Sequence, residues 1–217
     1  MLRLASQEDI PTINRILNHP GIYSWATMGK AMGPLDITAA FTSVFVLLDE
    51  AGQGCVILDP YDTATFEVHT CLLESLRGAE AQKIALETIR FVFAETGGME
   101  ILTKVQTANR GADLFARQRG FIRVADAPDL RSYQLTIERW PYLDEGLEQL
   151  CPSALSEAAS DGHHRRLLGA MTLIGMRGFM GKAAAIYNKH ARLQGYPPVQ
   201  VCGPDSLTVG GLTIHFE

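Results

Sequence analysis

Residues 65–82 read Thr65-Phe66-Glu67-Val68-His69-Thr70-Cys71-Leu72-Leu73-Glu74-Ser75-Leu76-Arg77-Gly78-Ala79-Glu80-Ala81-Gln82. The alternation over Thr65–Leu73 predicts a strand, with Phe66, Val68, Thr70 and Leu72 on one face and Glu67, His69, Cys71 and Leu73 on the other. Arg77-Gly78 breaks it. Ala81, Ile84, Ala85, Thr88, Ile89, Val92 and Phe93 then recur at helical spacing until Gly97-Gly98. A strand that turns through Arg-Gly into a helix aims free helix N–H groups at the strand end. Aligned donors and the helix dipole suit that place to phosphate or pyrophosphate. An ordinary helix entry has the same sequence pattern.

Working outward, Met1–Leu4 alternates as a short strand. Ser6, with Asp9 three residues on, reads as a helix start, and Ile10, Ile13, Ile16 and Leu17 carry its apolar face until Asn18-His19-Pro20-Gly21 ends it. Residues 22–33 lack a period and read as a loop or short helical turn, and a brief helix is expected near Leu35–Phe41. Strands Val44–Leu48 and Gly54–Leu58 flank the turn Asp49-Glu50-Ala51-Gly52. Beyond the long helix come a buried strand Met99–Val105, a helix from Asn109 to Gln118 closed by Gly120, and strands Phe121–Val124 and Tyr133–Ile137. Antiparallel strands followed by a βαβα unit predict an α/β chain with an α+β mixed sheet.

A second segment carries chemistry: Asn109-Arg110-Gly111-Ala112-Asp113-Leu114-Phe115-Ala116-Arg117-Gln118-Arg119-Gly120-Phe121. An Asn at a strand end either presents its carboxamide to an extended ligand or caps the helix. Together with the opening Leu2-Arg3-Leu4-Ala5-Ser6 and Asp9, the two segments resemble the GNAT superfamily of acetyl-CoA-dependent N-acetyltransferases. That family's phosphate loop reads Arg/Gln-x-x-Gly-x-Gly/Ala after the central strand. Its next motif is Asn-x-x-Ala followed by Gly-Phe. Arg77 stands first in the loop, and Asn109, Ala112, Gly120 and Phe121 match the second motif. The resemblance covers residues 1–138. It departs at Glu80 and Gln82, which hold the two signature positions, and at Ala116, where many relatives carry a tyrosine as general acid.

The resemblance implies a GNAT-like acyl-CoA N-acyltransferase fold and transfer of an acetyl group from acetyl-CoA to an unknown amine, with no covalent intermediate. Backbone groups near Leu72 and Leu73 would pair with the pantetheine arm. Arg77 and the N–H groups of Gly78, Ala79, Ala81 and Gln82 would hold the pyrophosphate, and Asn109 would contact the pantetheine or the thiol end. Glu67 or His69 would take the amine's proton, directly or through water. A solvated or hydrogen-bonded strand residue is the other reading of each. The loop Arg77-Gly78-x-Glu80-Ala81 before an Ala-rich helix is also similar to GNAT-like proteins encoded by bacteriophages. That similarity implies an alternative: a catalytically degenerate structural or assembly component of a short-tailed phage virion.

Composition sets outer bounds. The chain has 217 residues, 47 % hydrophobic and 20 % charged, with a formal net charge of −5. That is enough apolar matter for a core, and acids outnumber bases, which excludes a disordered chain and argues against a basic nucleic-acid binder. Cys55, Cys71, Cys151 and Cys202 show no CxxC spacing, and His163, His164, His190 and His215 show no metal spacing, so reduced thiols and no metal are expected. Residues 1–150 carry a net −7 and residues 151–217 a net +2. With Pro141 and Pro152 as punctuation, this predicts a GNAT-like domain over 1–140 and a C-terminal extension of helices and a terminal hairpin over 141–217. In that extension helices are expected at Leu147–Ala159 and Ala183–Leu193, and Val199–Cys202 and Leu207–Phe216 are expected as a hairpin or separate edge strands. The Gly- and Met-rich stretch His163–Met180 either packs on its own domain or contacts other protein subunits. The opening residues do not read as a signal peptide and no apolar run is long enough to span a membrane, so a cytoplasmic protein, or one incorporated into a virion, is expected.

Overall fold

The computed structural model describes residues 1–30, 33–62, 64–96, 98–140, 157–174, 180–203 and 206–215. In chain order the elements are β1 (Leu2–Leu4), α1 (Ile10–Leu17), α2 (Pro20–Ala26), β2 (Phe45–Asp49), β3 (Gly54–Pro60), β4 (Thr65–Leu72), α3 (Ala79–Glu95), β5 (Glu100–Gln106), α4 (Arg110–Gln118), β6 (Ile122–Asp126), β7 (Leu130–Thr136), α5 (Gly162–Ile174), α6 (Met180–Gln194), β8 (Val199–Gly203), β9 (Ser206–Val209) and β10 (Leu212–His215). Short 3₁₀ turns at Gln7–Asp9, Glu74–Leu76 and Ile137–Arg139 join some of them.

Side-chain chemistry accounts for the entry into α1. The Ser6 N–H donates to the Asp9 carboxylate (2.8 Å), which also takes a two-pronged bond from Arg3 (2.7 and 2.8 Å). These donors hold the Asp9 carboxyl well below its usual range, Arg3 being the largest cause. Of the loop or short helical turn expected over residues 22–33, a short helix forms at the start: Pro20 opens α2 at its first turn, where a missing N–H costs nothing, and the His19 ring caps it at the Gly21 N–H. The brief helix expected near Leu35–Phe41 does not form: the segment makes isolated turns, with the Ala40 N–H on the Ile37 carbonyl (3.0 Å) and the Ser43 N–H on the Ala40 carbonyl (2.9 Å), and is pinned where Asn18 accepts from the Leu35 N–H (2.7 Å) and Asn14 from the Ile37 N–H (3.0 Å).

Seven strands form one sheet in the order β1-β2-β3-β4-β5-β7-β6. The pairs β1/β2, β2/β3, β3/β4 and β6/β7 are antiparallel. Bonds between β4 and β5 advance together along the chain: Met99 N–H reaches the Ala64 carbonyl and the Thr103 hydroxyl reaches the Val68 carbonyl. This central pair is therefore parallel, as a helical crossover requires. On one face of the sheet, Val46, Leu48, Cys55 and Cys71 pack with Ile13, Ile16, Leu17, Ile22 and Ile37. Leu47, Val56, Leu58, Phe66 and Val68 are buried as well, on the opposite face by the pleat. Glu67 and His69 share the face of Cys71, which is the α1–α2 face.

The chain divides into two compact units. The first comprises Met1–Asp62, Phe66–Arg90 and Ile101–Gln134, and the second Thr63–Thr65, Phe91–Glu100 and Leu135–Glu217. In the second unit the Phe93 and Trp140 rings lie 5.8 Å apart. The expected helix Leu147–Ala159 lies outside the described residues over 147–156. α5 and α6 pack together, burying Leu167, Leu168, Met171, Ala183, Tyr187 and Ala191. A helix thus forms over much of the Gly- and Met-rich stretch, because burial of one face offsets the helix-weakening glycine at position 169; residues 175–179 lie outside the described set. Of the hairpin or separate edge strands expected here, a hairpin forms: Gly210 and Gly211 both take positive φ (58° and 87°) and make the two-residue turn between β9 and β10. The resulting small sheet runs β10-β9-β8.

His164 sits fully buried in this second unit. The Ser160 N–H donates to its Nδ1 (2.9 Å), so the ring proton is on Nε2, which donates to the Tyr187 hydroxyl. That hydroxyl donates onward to the Pro197 carbonyl (3.0 Å), and burial pushes its ionisation up. The Tyr196 ring stacks on His164 at 4.4 Å. Such a chain of bonds satisfies every polar atom it contains and reads as a structural pin.

Candidate functional site

The link from β4 to α3 is more elaborate than a bare Arg-Gly turn. The Leu73 N–H donates to the Gln53 carbonyl (3.0 Å), extending the β3 ladder by one residue. A 3₁₀ turn over Glu74–Leu76 follows, with the Arg77 N–H bonded to the Glu74 carbonyl. The exposed Arg77 guanidinium pairs with Glu74 (3.1 Å). Gly78 then takes φ +70°, the left-handed conformation that favours glycine, and α3 begins. The Gln82 N–H closes the first helical bond on the Gly78 carbonyl (3.2 Å). The N–H groups of Gly78, Ala79, Glu80 and Ala81 precede that bond and have no intrahelical acceptor. Among the residues expected to offer backbone donors, Leu73 and Gln82 spend theirs internally, while Gly78, Ala79 and Ala81 keep theirs.

Glu80 does not block this place. Its carboxylate turns to Lys83, 2.7 Å away on the exposed side of the first turn. The charge there suits the helix dipole and leaves the backbone N–H groups uncovered. The Gln82 side chain reaches across to Gln118 on α4 (3.4 Å).

The position of the loop depends on Gly54, a residue that no motif marks. A Cβ there would meet Leu72 Cδ2 at 2.7 Å, Leu76 Cδ1 at 2.8 Å and the Cys71 carbonyl oxygen at 3.2 Å. The end of β4 and the 3₁₀ turn therefore lie directly against the β3 backbone. One residue further along, Cys55 and Cys71 face each other across the two strands, both buried. The contact with Cys71, and then burial, push the Cys55 thiol up. Cys202 is exposed, and Cys151 lies outside the described residues.

Asn109 caps α4: its Oδ1 accepts from the Ala112 N–H (3.0 Å), while its own N–H donates to the Gln106 carbonyl (2.8 Å). The carboxamide NH₂ makes no hydrogen bond among the described residues, so the capping role and a donor role coexist in one side chain. Ala116 is 4 % exposed and offers no phenol. The buried phenol nearby in sequence is Tyr133 on β7, whose hydroxyl donates to Asp113. That bond first, with Arg131 and Arg117, holds the Asp113 carboxyl below its usual range; burial and Asp113 push Tyr133 up. This cluster ties α4 to β7.

Glu67 and His69 stand on the α1–α2 face. Lys104 of β5 pairs with Glu67 Oε2 at 2.8 Å, and His69 Nε2 lies 3.9 Å from Glu67 Oε1. His69 is about half exposed. Sequence reading missed Lys104 and Gln106, although their alternation with Val105 would have set them on this face. Gln106 Nε2 donates to the Trp25 carbonyl at the end of α2 (2.7 Å). Among the described residues no three His, Cys, Asp or Glu side chains gather as a metal site.

The sheet order, the parallel central pair and the strand–loop–helix link after β4 define the fold class, and solved structures agree. The spermidine N-acetyltransferase of Vibrio cholerae, in complex with CoA and spermine, superposes with a TM-score of 0.54 at 14 % identity, over 63 % of this chain and 94 % of that one. A mutant form of the Vibrio cholerae spermidine/spermine N-acetyltransferase gives 0.53 at 14 % identity, over 67 % and 96 %. No family model matches the sequence, and no curated protein matches it. The chain has the GNAT N-acetyltransferase fold, a mixed α/β arrangement with an added C-terminal sheet. Among the described residues no helix is long and apolar enough to cross a membrane.

Proposed function

We propose that this protein is an acyl-CoA-dependent N-acyltransferase acting on an amine. The observation that carries the reading is the run of N–H groups without an acceptor at Gly78, Ala79, Glu80 and Ala81, opened by a left-handed glycine after the 3₁₀ turn that follows the central strand. Four aligned donors and a helix dipole fit a pyrophosphate. Acetyl-CoA, as the donor substrate, supplies an activated thioester. Gly78, Ala79 and Ala81 hold its pyrophosphate, Arg77 adds charge at the mouth, and the residues around Leu72 and Leu73 line the pantetheine arm through what they leave free. The Asn109 carboxamide donates to a carbonyl of the arm.

The reaction joins the amine nitrogen to the acyl carbon and breaks the C–S bond. His69 takes the proton released by the amine. Glu67, anchored by Lys104, orients the His69 ring rather than acting alone, since one of its oxygens is already paired. With Ala116 in place of a phenol, the leaving thiolate takes its proton from water.

A GNAT-fold assembly component of a bacteriophage virion, with residues 141–217 as the subunit contact, would rest on Glu80, Gln82, Ala116 and the presence of the C-terminal extension, and no contact among the described residues favours it. Calorimetric titration with acetyl-CoA decides between the two. Saturable binding is expected, weakened in Asn109→Ala but kept in Arg119→Ala, which lies outside the site. No heat at millimolar ligand removes the enzyme reading.

A further inference from the structure

Cys55 and Cys71 are buried thiols that the proposed chemistry leaves unused. They stand opposite each other on β3 and β4, in one apolar cluster with Ile13, Ile16 and Leu17 of α1, and both are free. The hydrogen-bond ladder fixes their spacing. The Leu73 N–H donates to the carbonyl of Gln53, the residue opposite it. In an antiparallel pair such hydrogen-bonded positions recur at every second residue. Gln53/Leu73 is one, so Gly54/Leu72 is not and Cys55/Cys71 is. At a hydrogen-bonded position the Cα atoms lie about 5.5 Å apart, within the span of a disulfide. The Cβ atoms start about 5 Å apart, against about 3.8 Å in a disulfide. A bond between the sulfurs is therefore within reach, and it draws the two strands together by about 1 Å. A disulfide closed under such strain is readily reduced and does not act as a permanent staple.

The neighbouring pair receives that movement. Leu72 and Leu76 already fill the space a Cβ on Gly54 would need. Drawing Cys71 toward β3 presses both leucines onto the Gly54 backbone, and Leu76 leads directly into Arg77 and Gly78. The two thiols also differ. Cys55 is fully buried, while Cys71 keeps 6 % exposure. The contact between them draws the Cys71 thiol down and pushes Cys55 up. Cys71 is thus the thiolate that meets an oxidant, and Cys55 the thiol that resolves it. Hydrogen peroxide, little larger than water, suits a sulfur with so little exposure.

We propose that Cys55 and Cys71 form a reversible redox pair, closed to a disulfide by a small peroxide, and that closure shifts the loop Glu74–Gly78 and weakens acyl-CoA binding. The effect on binding rests on the acyltransferase reading. The Cys71 sulfur attacks one peroxide oxygen, the O–O bond breaks, and the departing hydroxide takes up the thiol proton as water, leaving a sulfenic acid. The Cys55 sulfur then attacks the Cys71 sulfur. The S–O bond breaks, the S–S bond forms, and the hydroxyl leaves with the Cys55 proton as a second water. Two electrons pass from the two thiols to one peroxide. Dithiothreitol returns two electrons and two protons and closes to its own cyclic disulfide.

The test uses the full chain with Cys151→Ser and Cys202→Ser, so that Cys55 and Cys71 are the two remaining thiols. Hydrogen peroxide is expected to remove both thiols, counted after unfolding, to lower the mass by two hydrogens and to leave a Cys55–Cys71 cross-linked peptide on digestion. Dithiothreitol should reverse all three. By calorimetry, acetyl-CoA affinity should fall roughly tenfold in the oxidised chain and recover on reduction. Cys71→Ala in the same background should keep its affinity under peroxide. Thiols that survive peroxide, or oxidation that stops at a sulfinic acid on one cysteine, overturn the redox pair. A disulfide that leaves acetyl-CoA affinity unchanged overturns its coupling to the loop. A reduced chain that binds no acetyl-CoA removes the acyltransferase reading and the coupling with it, while the thiol count and the mass still decide the pair.

Discussion

Replacing Gly54 by alanine perturbs the candidate site from behind, through the side chains of Leu72 and Leu76. The added Cβ would lie 2.7 Å from Leu72 Cδ2, 2.8 Å from Leu76 Cδ1 and 3.2 Å from the Cys71 carbonyl oxygen. Overpacking of this kind costs about 1–3 kcal/mol. The two nearest atoms are leucine side-chain ends on half-buried residues, so they yield first, and the backbone oxygen needs to move only slightly. Alanine also recovers about 0.5–1 kcal/mol of chain entropy that glycine loses on folding. The balance is a destabilisation of about 1 kcal/mol, or a fall in Tm of about 2–4 °C for a chain of this size. Thermal unfolding followed by circular dichroism reads it directly. Leu76→Ala in the same chain relieves one clash, so the double variant should be less destabilised than the sum of the singles, with a coupling of about 0.5 kcal/mol or more. Because the leucines pushed aside belong to the segment leading to Gly78, acetyl-CoA affinity should fall in Gly54→Ala as well. An unchanged or raised Tm, with additive singles, would refute the claim that β4 and its loop need a bare backbone at position 54.

Two further outcomes are expected. Tyr133 is the first cause of the depressed Asp113 carboxyl, whose ordinary value is 3.8. The stability this provides is present above pH 3.8 and is lost as pH falls through the lower folded-state value. Tyr133→Phe should therefore lower Tm at neutral pH and flatten the decline in Tm between about pH 6 and pH 2; scanning fluorimetry across that range with an unaltered slope would separate Tyr133 from Asp113. Tyr187→Phe removes the hydroxyl between His164 and the Pro197 carbonyl, leaving one buried and one half-buried polar group without it. A loss of about 1–3 kcal/mol is expected from urea unfolding, and a neutral substitution would show that this network is not a pin.

Much of the fold was legible because its signals are local. The capping pair Ser6 and Asp9, the period-two run of β4 and the helical period of α3 each depend on residues a few positions apart. The Arg77-Gly78 entry and the Asn109 cap were legible for the same reason. Near Leu35–Phe41 isolated turns form in place of the expected helix, in a segment pinned at Leu35 and Ile37 by Asn18 and Asn14, more than fifteen residues away. Pro20 read as a terminator because proline ends one helix and begins another with the same φ.

The site divides along the same line. Sequence alone determined which residues have the right chemistry: Glu67, His69, Arg77, Gly78 and Asn109 are all where strand, turn and cap patterns put them. Only the tertiary structure decided what each is free to do. The Leu73 and Gln82 N–H groups are spent on Gln53 and Gly78, Glu80 is drawn aside by Lys83, Glu67 is held by Lys104, and the Trp25 carbonyl is held by Gln106. Those outcomes depend on hydrogen bonds and ion pairs between strands and helices far apart in the chain, and a local period carries no record of them.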